Sequence, residues 1–320
     1  MPTTSKFKKL TQSKTVHAFL RLLQAAAVIG VLYLMAEKLA AIGWQDVSQS
    51  MPTTPWFYVF FLGMYFAQPV SEWLVYQRLW GTAVKKRLDI FVRMRIYNFA
   101  LVSYVGEAFL ALWAHKNLSK GGKQVMSSVK DSSILSGLAS NSFTLILLAL
   151  FFMTGQLEAI TNADPNYGKY LGFAVILGLI LIPLVLKFHS RILGITSGVA
   201  RKVFAIHLSR LIAVLLFQTA QWAVVFPEVA ITTWLLILTA QMILTRIPFL
   251  PNTDLLFAGL GMTLMGYVDG PEAAVAGMFL ASGALSQVLN LGCFIITSFK
   301  RNTPITQDTD TKLATEKPTP

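Results

Sequence analysis

Residues 132–154 read SSILSGLASNSFTLILLALFFMT, a run without one charged side chain. At a rise of about 1.5 Å per residue, a helix of that length crosses the roughly 30 Å of a bilayer's hydrocarbon core. The stretch recurs in kind at His17–Ala41, Trp56–Gly81, Tyr170–Lys187, Leu211–Phe226, Val229–Thr245 and Glu272–Phe299. Two further apolar stretches, Ile96–His115 and Asp254–Val268, carry polar or glycine-rich interruptions, and the second is short for a full crossing. The expected fold is therefore all-α: a polytopic integral membrane helical bundle of about 7–8 spans, with re-entrant or broken helices.

Composition points the same way. Hydrophobic residues make up 54% of the 320 and charged residues only 13%, against roughly 25% charged in an average soluble domain. The mean hydropathy of +0.58 would oblige a soluble chain of this size to expose large apolar patches. The net charge of +12 suggests nucleic acid at first sight. The basic residues instead cluster between apolar stretches, which fits cytoplasmic loops and anionic lipid headgroups, so no nucleic-acid partner is expected. The single cysteine, Cys293, excludes an internal disulfide and a Cys-rich metal site.

The basic clusters orient the spans. Lys6, Lys8, Lys9 and Lys14 place residues 1–16 in the cytoplasm, and the apolar run that follows reads as a retained signal anchor. Arg78, Lys85, Lys86, Arg87, Arg93 and Arg95 mark a cytoplasmic loop, and Lys187, Arg191, Arg201, Lys202 and Arg210 mark another. Asp46, Glu158, Asp164 and Glu228 fall where the outside is expected. Ile96–His115 breaks the pattern, because Lys116, Lys120, Lys123 and Lys130 follow it. A plain span would put those lysines outside. A re-entrant hairpin, entering and leaving on the cytoplasmic side, keeps both clusters inside and is the favoured reading. For Asp254–Val268 the charges favour a short crossing over a re-entrant loop. Residues 17–299 then form the transmembrane domain, with 300–320 a disordered tail. Ile192–Ile206 reads as an amphipathic interfacial helix between two spans.

Ionisable groups inside apolar stretches cost about 2.5–3.5 kcal/mol each on insertion scales and so need a reason. Glu107 sits in the middle of Ile96–His115, with Asn98 and Ser103 before it. It either lines a headgroup cavity, carries a proton, pairs structurally with a nearby Arg or Lys, or is a neutral carboxylic acid bonded to backbone. Glu72 follows Pro69, which removes a backbone donor; a packing kink is the favoured reading there, a cavity wall the alternative. In Arg246-Ile247-Pro248-Phe249-Leu250-Pro251-Asn252-Thr253-Asp254 two prolines end one helix and Asn252-Thr253 offers a cap for the next. Arg246 beside a helix N-terminus suits a phosphate; a connecting loop with a snorkelling Arg explains it equally. Asp131 starts an apolar helix and Asn141 follows about three turns on. With Gln221, Gln241, Gln287 and Asn290, these suit interhelical hydrogen bonds.

Soluble-enzyme signatures are missing. His17, His115, His189 and His207 show no metal-ligand spacing, and no Walker motif, nucleophile elbow or G-x-G-x-x-G occurs. A primary ATP-driven pump in this chain is excluded, and no cofactor or metal is expected.

Three places carry a family likeness. Asn98 leads an apolar run ending in Val105-Gly106-Glu107-Ala108; Asp131–Leu150 follows as a helix; and Ile247-Pro248-Phe249-Leu250-Pro251 precedes a Gly-rich apolar stretch to Met265. Together, over roughly Leu22 to Phe299, they resemble the transmembrane domain of lysylphosphatidylglycerol synthases, a flippase-like superfamily of bacterial and archaeal membrane proteins. Glu107 is the charged motif residue that carries over. The family's Pro-Gly stands here as Val102-Ser103, its next Arg falls near Leu110, its Glu-Arg near Ser140-Asn141, and its late Glu near Ala258. The resemblance implies inverted repeats with re-entrant helices, and binding or movement of a lipid between leaflets. The family's aminoacyl transfer belongs to a separate soluble domain that is not expected here, so no enzyme activity is expected.

The expected function is a flippase-like protein of the inner membrane that handles an anionic or lipid-linked lipid. Glu107 and Asn98 would line the headgroup path, Arg246 would meet the phosphate, and Asn141 and Glu72 are further candidates. The alternatives are a non-transporting subunit with a protein partner in the membrane, and a membrane-embedded transferase acting on lipid-linked substrates.

Overall fold

The computed structural model describes residues 51–100, 104–118, 120–154, 165–244 and 272–299. Among these, the chain is helical and carries no strand. Helix α1 runs Pro55–Trp80. Thr54 is extended before it and Pro55 opens it, where a missing N–H costs nothing; Gly81 ends it with φ +74°. After a 3₁₀ turn at Gly81–Val84 come α2, Leu88–Ala100, and α3, Val105–Asn117. Helix α4 is Gly122–Met153, α5 Pro165–Ile192, α6 Ser197–Ala223, α7 Ile231–Leu244 and α8 Glu272–Phe299.

Pairing follows from named contacts. Helix α6 packs most extensively on α1 and next on α4. It runs antiparallel to α1, since Phe217 lies against Gly63 while Arg210 meets Glu72. Helix α5 is antiparallel to α4: Leu145 packs on Gly178, and Lys130 Nζ donates to the Ile192 carbonyl. The short helices α2 and α3 fold back on each other, with Tyr97 against Phe109 near their junction and Arg87 over the Trp113 ring at the far end.

Two apolar cores mark the two ends of the bundle. One joins Tyr76 and Trp80 of α1, Phe91 of α2, Trp113 of α3, Val125 of α4 and Val203 of α6. The other gathers Phe57 of α1, Phe151 of α4, Trp222 of α6, Trp234 of α7 and Met278 of α8. The outer faces are apolar as well: Ile146, Phe152, Ile176, Leu179, Leu216 and Ile296 are exposed, while Glu72, Asp131 and His207 are buried. That inversion of the soluble pattern suits a hydrocarbon solvent.

Among the described residues, three helices are long and apolar enough to cross a membrane by length and composition: α4, α6 and the Gly277–Ser298 part of α8. This is fewer than the 7–8 expected. Helix α1 matches the expected Trp56–Gly81, but its polar and aromatic residues, Glu72 and Gln68 among them, lower its mean hydropathy. Shorter apolar stretches are Leu171–Val185 and Ile231–Met242. The expected His17–Ala41 and Asp254–Val268, the signal anchor, the Arg246–Asp254 segment and the tail lie outside the described residues.

Ile96–His115 is interrupted: α2 is Leu88–Ala100, α3 starts at Val105, and Tyr104 between them holds φ +74°. The structure corrects two boundaries. Ile192–Ile206 is not a separate interfacial helix: α6 runs unbroken from Ser197 to Ala223. Past Gly198 it contains neither Gly nor Pro, so nothing stops it, and its buried charge is paired rather than excluded. Asp131 does not start a helix; α4 begins at Gly122.

Candidate functional site

Five polar side chains meet inside the apolar bundle. Glu72 of α1 accepts a hydrogen bond from Arg210 Nη1 of α6 at 3.0 Å, and Arg210 Nη2 donates to Ser136 Oγ of α4 at 3.0 Å. His207, one turn before Arg210, is wholly buried; its Nε2 lies 3.3 Å from Ser132 Oγ and its Nδ1 4.0 Å from Glu72. Helical spacing makes this meeting possible: His207 and Arg210 are three apart and Ser132 and Ser136 four apart, so each pair shares one helix face. Glu72 and Arg210 leave only 9% and 12% of their side chains exposed, so the pair is shielded from water and its partners must be in place.

Glu107 lies within electrostatic range of Glu72. It stands at the start of α3, half-buried, and is held by α2. Asn98 Nδ2 donates to Glu107 Oε2 at 2.9 Å, while Asn98 Oδ1 accepts the Gly106 N–H at 2.7 Å. One side chain thus ties the first turn of α3 to α2, satisfying a helix N-terminal donor that would otherwise be free. Gly106 is required by close approach, since a Cβ there would overlap the Met94 carbonyl oxygen and press on Asn98.

Beside the hairpin, Arg95 of α2 sits 3.9 Å from the Tyr65 ring and donates to Asn290 Oδ1 of α8 at 3.0 Å. Tyr65 donates its hydroxyl proton to the same oxygen at 2.7 Å. Asn290 is fully buried. These contacts bind the hairpin to α1 and α8.

Of the expected site residues, Asn98 and Glu107 are brought into direct contact, and Glu72 enters the neighbouring network. Asn141 is half-buried on α4 and makes no hydrogen bond to that network. Arg246 lies outside the described residues. Glu72 has a defined charged partner, which the packing-kink reading does not supply. Among the residues read as hydrogen-bonding between helices, Asp131 accepts the Gly194 N–H at 2.8 Å, and Gln221 donates to Ser282 of α8 at 3.3 Å.

Sequence reasoning missed Arg210, His207 and Arg95. Arg210 and Arg95 read as loop charges marking the cytoplasm, whereas both lie inside helices and are partly buried. The available signal was the unbroken stretch after Gly198 with His207 and Arg210 on one face. No protein-family model, curated protein or solved structure matches this chain. Its chemistry is therefore read from its own geometry.

Proposed function

We propose that this chain is a flippase-like protein of the inner membrane that binds a lipid or lipid-linked substrate and moves its headgroup across the bilayer. The observation that carries the reading is the Glu72–Arg210–His207 network, buried among helices whose outer faces are apolar. Charged groups at membrane depth are expensive, and they mark substrate or ion pathways more often than they serve packing alone. Glu107, within electrostatic range, supplies a second carboxylate at the tip of a helical hairpin.

The α2–α3 hairpin supports re-entrance. Each of its helices has 13 residues, about 20 Å at 1.5 Å per residue, too short to span a bilayer alone. Folding back returns Lys116 to the end that carries Arg87, so the charge conflict of a plain span disappears. Basic residues of the α1–α2 turn, the α3–α4 turn and the α5–α6 turn then share one face of the bundle, taken as cytoplasmic, with Glu228 toward the other. Broken helices meeting a polar site near the midplane are a recurring design in transporters built for alternating access.

A second reading, a non-transporting subunit, is favoured by one contact: Asn98 holds Glu107 as a structural clamp. A single substitution separates the two. Glu107→Gln keeps an oxygen able to accept from Asn98 but removes the charge. Purified wild type and Glu107→Gln are reconstituted in liposomes with labelled anionic phospholipids and lipid-linked sugars, and lipid movement is timed. Transport predicts movement in wild type and its loss in Glu107→Gln at unchanged thermal stability. Well-folded wild type that moves none of these lipids would overturn the transport reading.

A further inference from the structure

Outside the polar network, α4, α5 and α6 line an open cavity of about 490 Å³. That volume lies in the roughly 300–1,000 Å³ range of small-molecule sites. Leu135 and Leu138 of α4, Leu193 of the α5–α6 link, and Ala200 and Phe204 of α6 form its apolar wall. Ile182 and Val185 line it from α5, a helix whose Leu179, Ile180 and Leu184 are exposed on the apolar exterior of the bundle. At one end it meets Ser197, Arg201 and His189, all exposed.

The charges at this mouth are one-sided. No Asp or Glu occurs between residues 165 and 227, whereas Lys187, Arg191, Arg201 and Lys202 do. The nearby acid, Asp131, is already engaged by Lys130 at 3.2 Å and by the Gly194 N–H. Lys130 also bonds the Ile192 carbonyl, so these two side chains pin the α5–α6 link in place beside the cavity. Among the described residues no carboxylate pairs with Arg201. Helix α5 departs from helical geometry at Phe188, which separates its last turn, with His189, from the apolar body.

We infer that this cavity holds one acyl chain of an anionic phospholipid, with the headgroup phosphate at Arg201. The inference rests on the lipid-handling reading above and adds a site and a charge class to it. An apolar slot beside a guanidinium that no carboxylate pairs among the described residues matches the two halves of such a molecule. A zwitterionic lipid presents the same phosphate beside its own ammonium, which weakens its attraction to the basic mouth. A soluble phosphate would leave the slot without a partner. Arginine is the suitable cation, because its planar fork meets two phosphate oxygens at once.

The test measures binding, not transport. Purified protein in detergent is titrated with phosphatidylglycerol or phosphatidylcholine of identical chains, and bound lipid is counted by native mass spectrometry. Wild type is expected to prefer phosphatidylglycerol, and Arg201→Gln to lose about fivefold of that preference, the size expected for one Arg beside an anionic headgroup. Ser142→Phe, which fills the cavity, is expected to weaken both lipids with melting temperature unchanged. Should that variant misfold, Ser197→Trp at the exposed mouth provides the same block. An unaltered preference in Arg201→Gln overturns the proposal. So does wild-type binding in a folded, cavity-filled variant, or displacement of the lipid by glycerol 3-phosphate alone. Wild type that binds at this site yet moves no lipid removes the transport reading and leaves the site. Transport with binding indifferent to all three substitutions removes the site alone.

Discussion

Arg210 on α6 holds Glu72 on α1 at 3.0 Å, across 138 residues of sequence and inside a bundle whose surface is apolar. The pair ties together the two most extensively packed helices, and Ser136 on α4 joins through the second guanidinium nitrogen. Breaking it from one side leaves a buried charge without its counterpart. Arg210→Met is therefore expected to destabilise the protein by about 3–5 kcal/mol. Glu72→Gln combined with Arg210→Met should recover part of that loss, because no unpaired charge remains. Thermal unfolding of the single and double variants in detergent measures both; a double variant less stable than Arg210→Met alone would show that the pair is not the relevant unit.

The hairpin clamp gives a sharper contrast at Glu107. Replacing it with Leu leaves the Asn98 Nδ2 donor without its acceptor, at about 1–3 kcal/mol. Gln keeps an oxygen there, and Glu107→Gln should melt close to wild type. Equal melting of the Leu and Gln variants would mean that the 2.9 Å contact contributes nothing to stability.

Gly106 has no room for a methyl group. Gly106→Ala should force α3 away from α2, at about 1–3 kcal/mol for an overpacked contact. The same substitution at Gly137, where nothing lies near the added carbon, should be neutral or mildly stabilising. Parallel melting curves of the two variants check the contrast. A benign Gly106→Ala would place the two helices farther apart than described.

The proposed sidedness, with the basic end cytoplasmic, is tested by labelling. The single native cysteine is Cys293, so Cys293→Ser provides a background for labelling. Cysteines introduced at Lys86, Lys116 and Arg191 are expected to react with an impermeant maleimide from one side of the membrane, and a cysteine at Glu228 from the other. All four positions are exposed. Labelling of Lys86 and Lys116 from opposite sides would make the α2–α3 segment a crossing and end the re-entrant reading.

The sequence by itself determined the solvent and most of the helices. Long uncharged runs such as 132–154 have no other economical reading, because hydropathy is a local sum and each span is its own segment. Helix α8 falls on the expected bounds, Glu272–Phe299, for that reason. The charge pattern alone also argued that Ile96–His115 turns back, since a plain crossing strands four lysines on the wrong side.

Only the tertiary structure decided what the charges do. Arg210 and Arg201 sit on the same helix, and by sequence both are basic markers beside an apolar run. One turns inward to Glu72 and Ser136; the other stays at the mouth of an apolar cavity without a carboxylate partner among the described residues. The difference is rotation about the helix axis: nine residues at 100° each bring Arg210 halfway round from Arg201. Which of those faces meets a neighbour depends on how α1, α4 and α5 pack around α6. Pairings such as Glu72 with Arg210, or Asn290 with Tyr65 and Arg95, depend on that packing and leave no local trace in the chain.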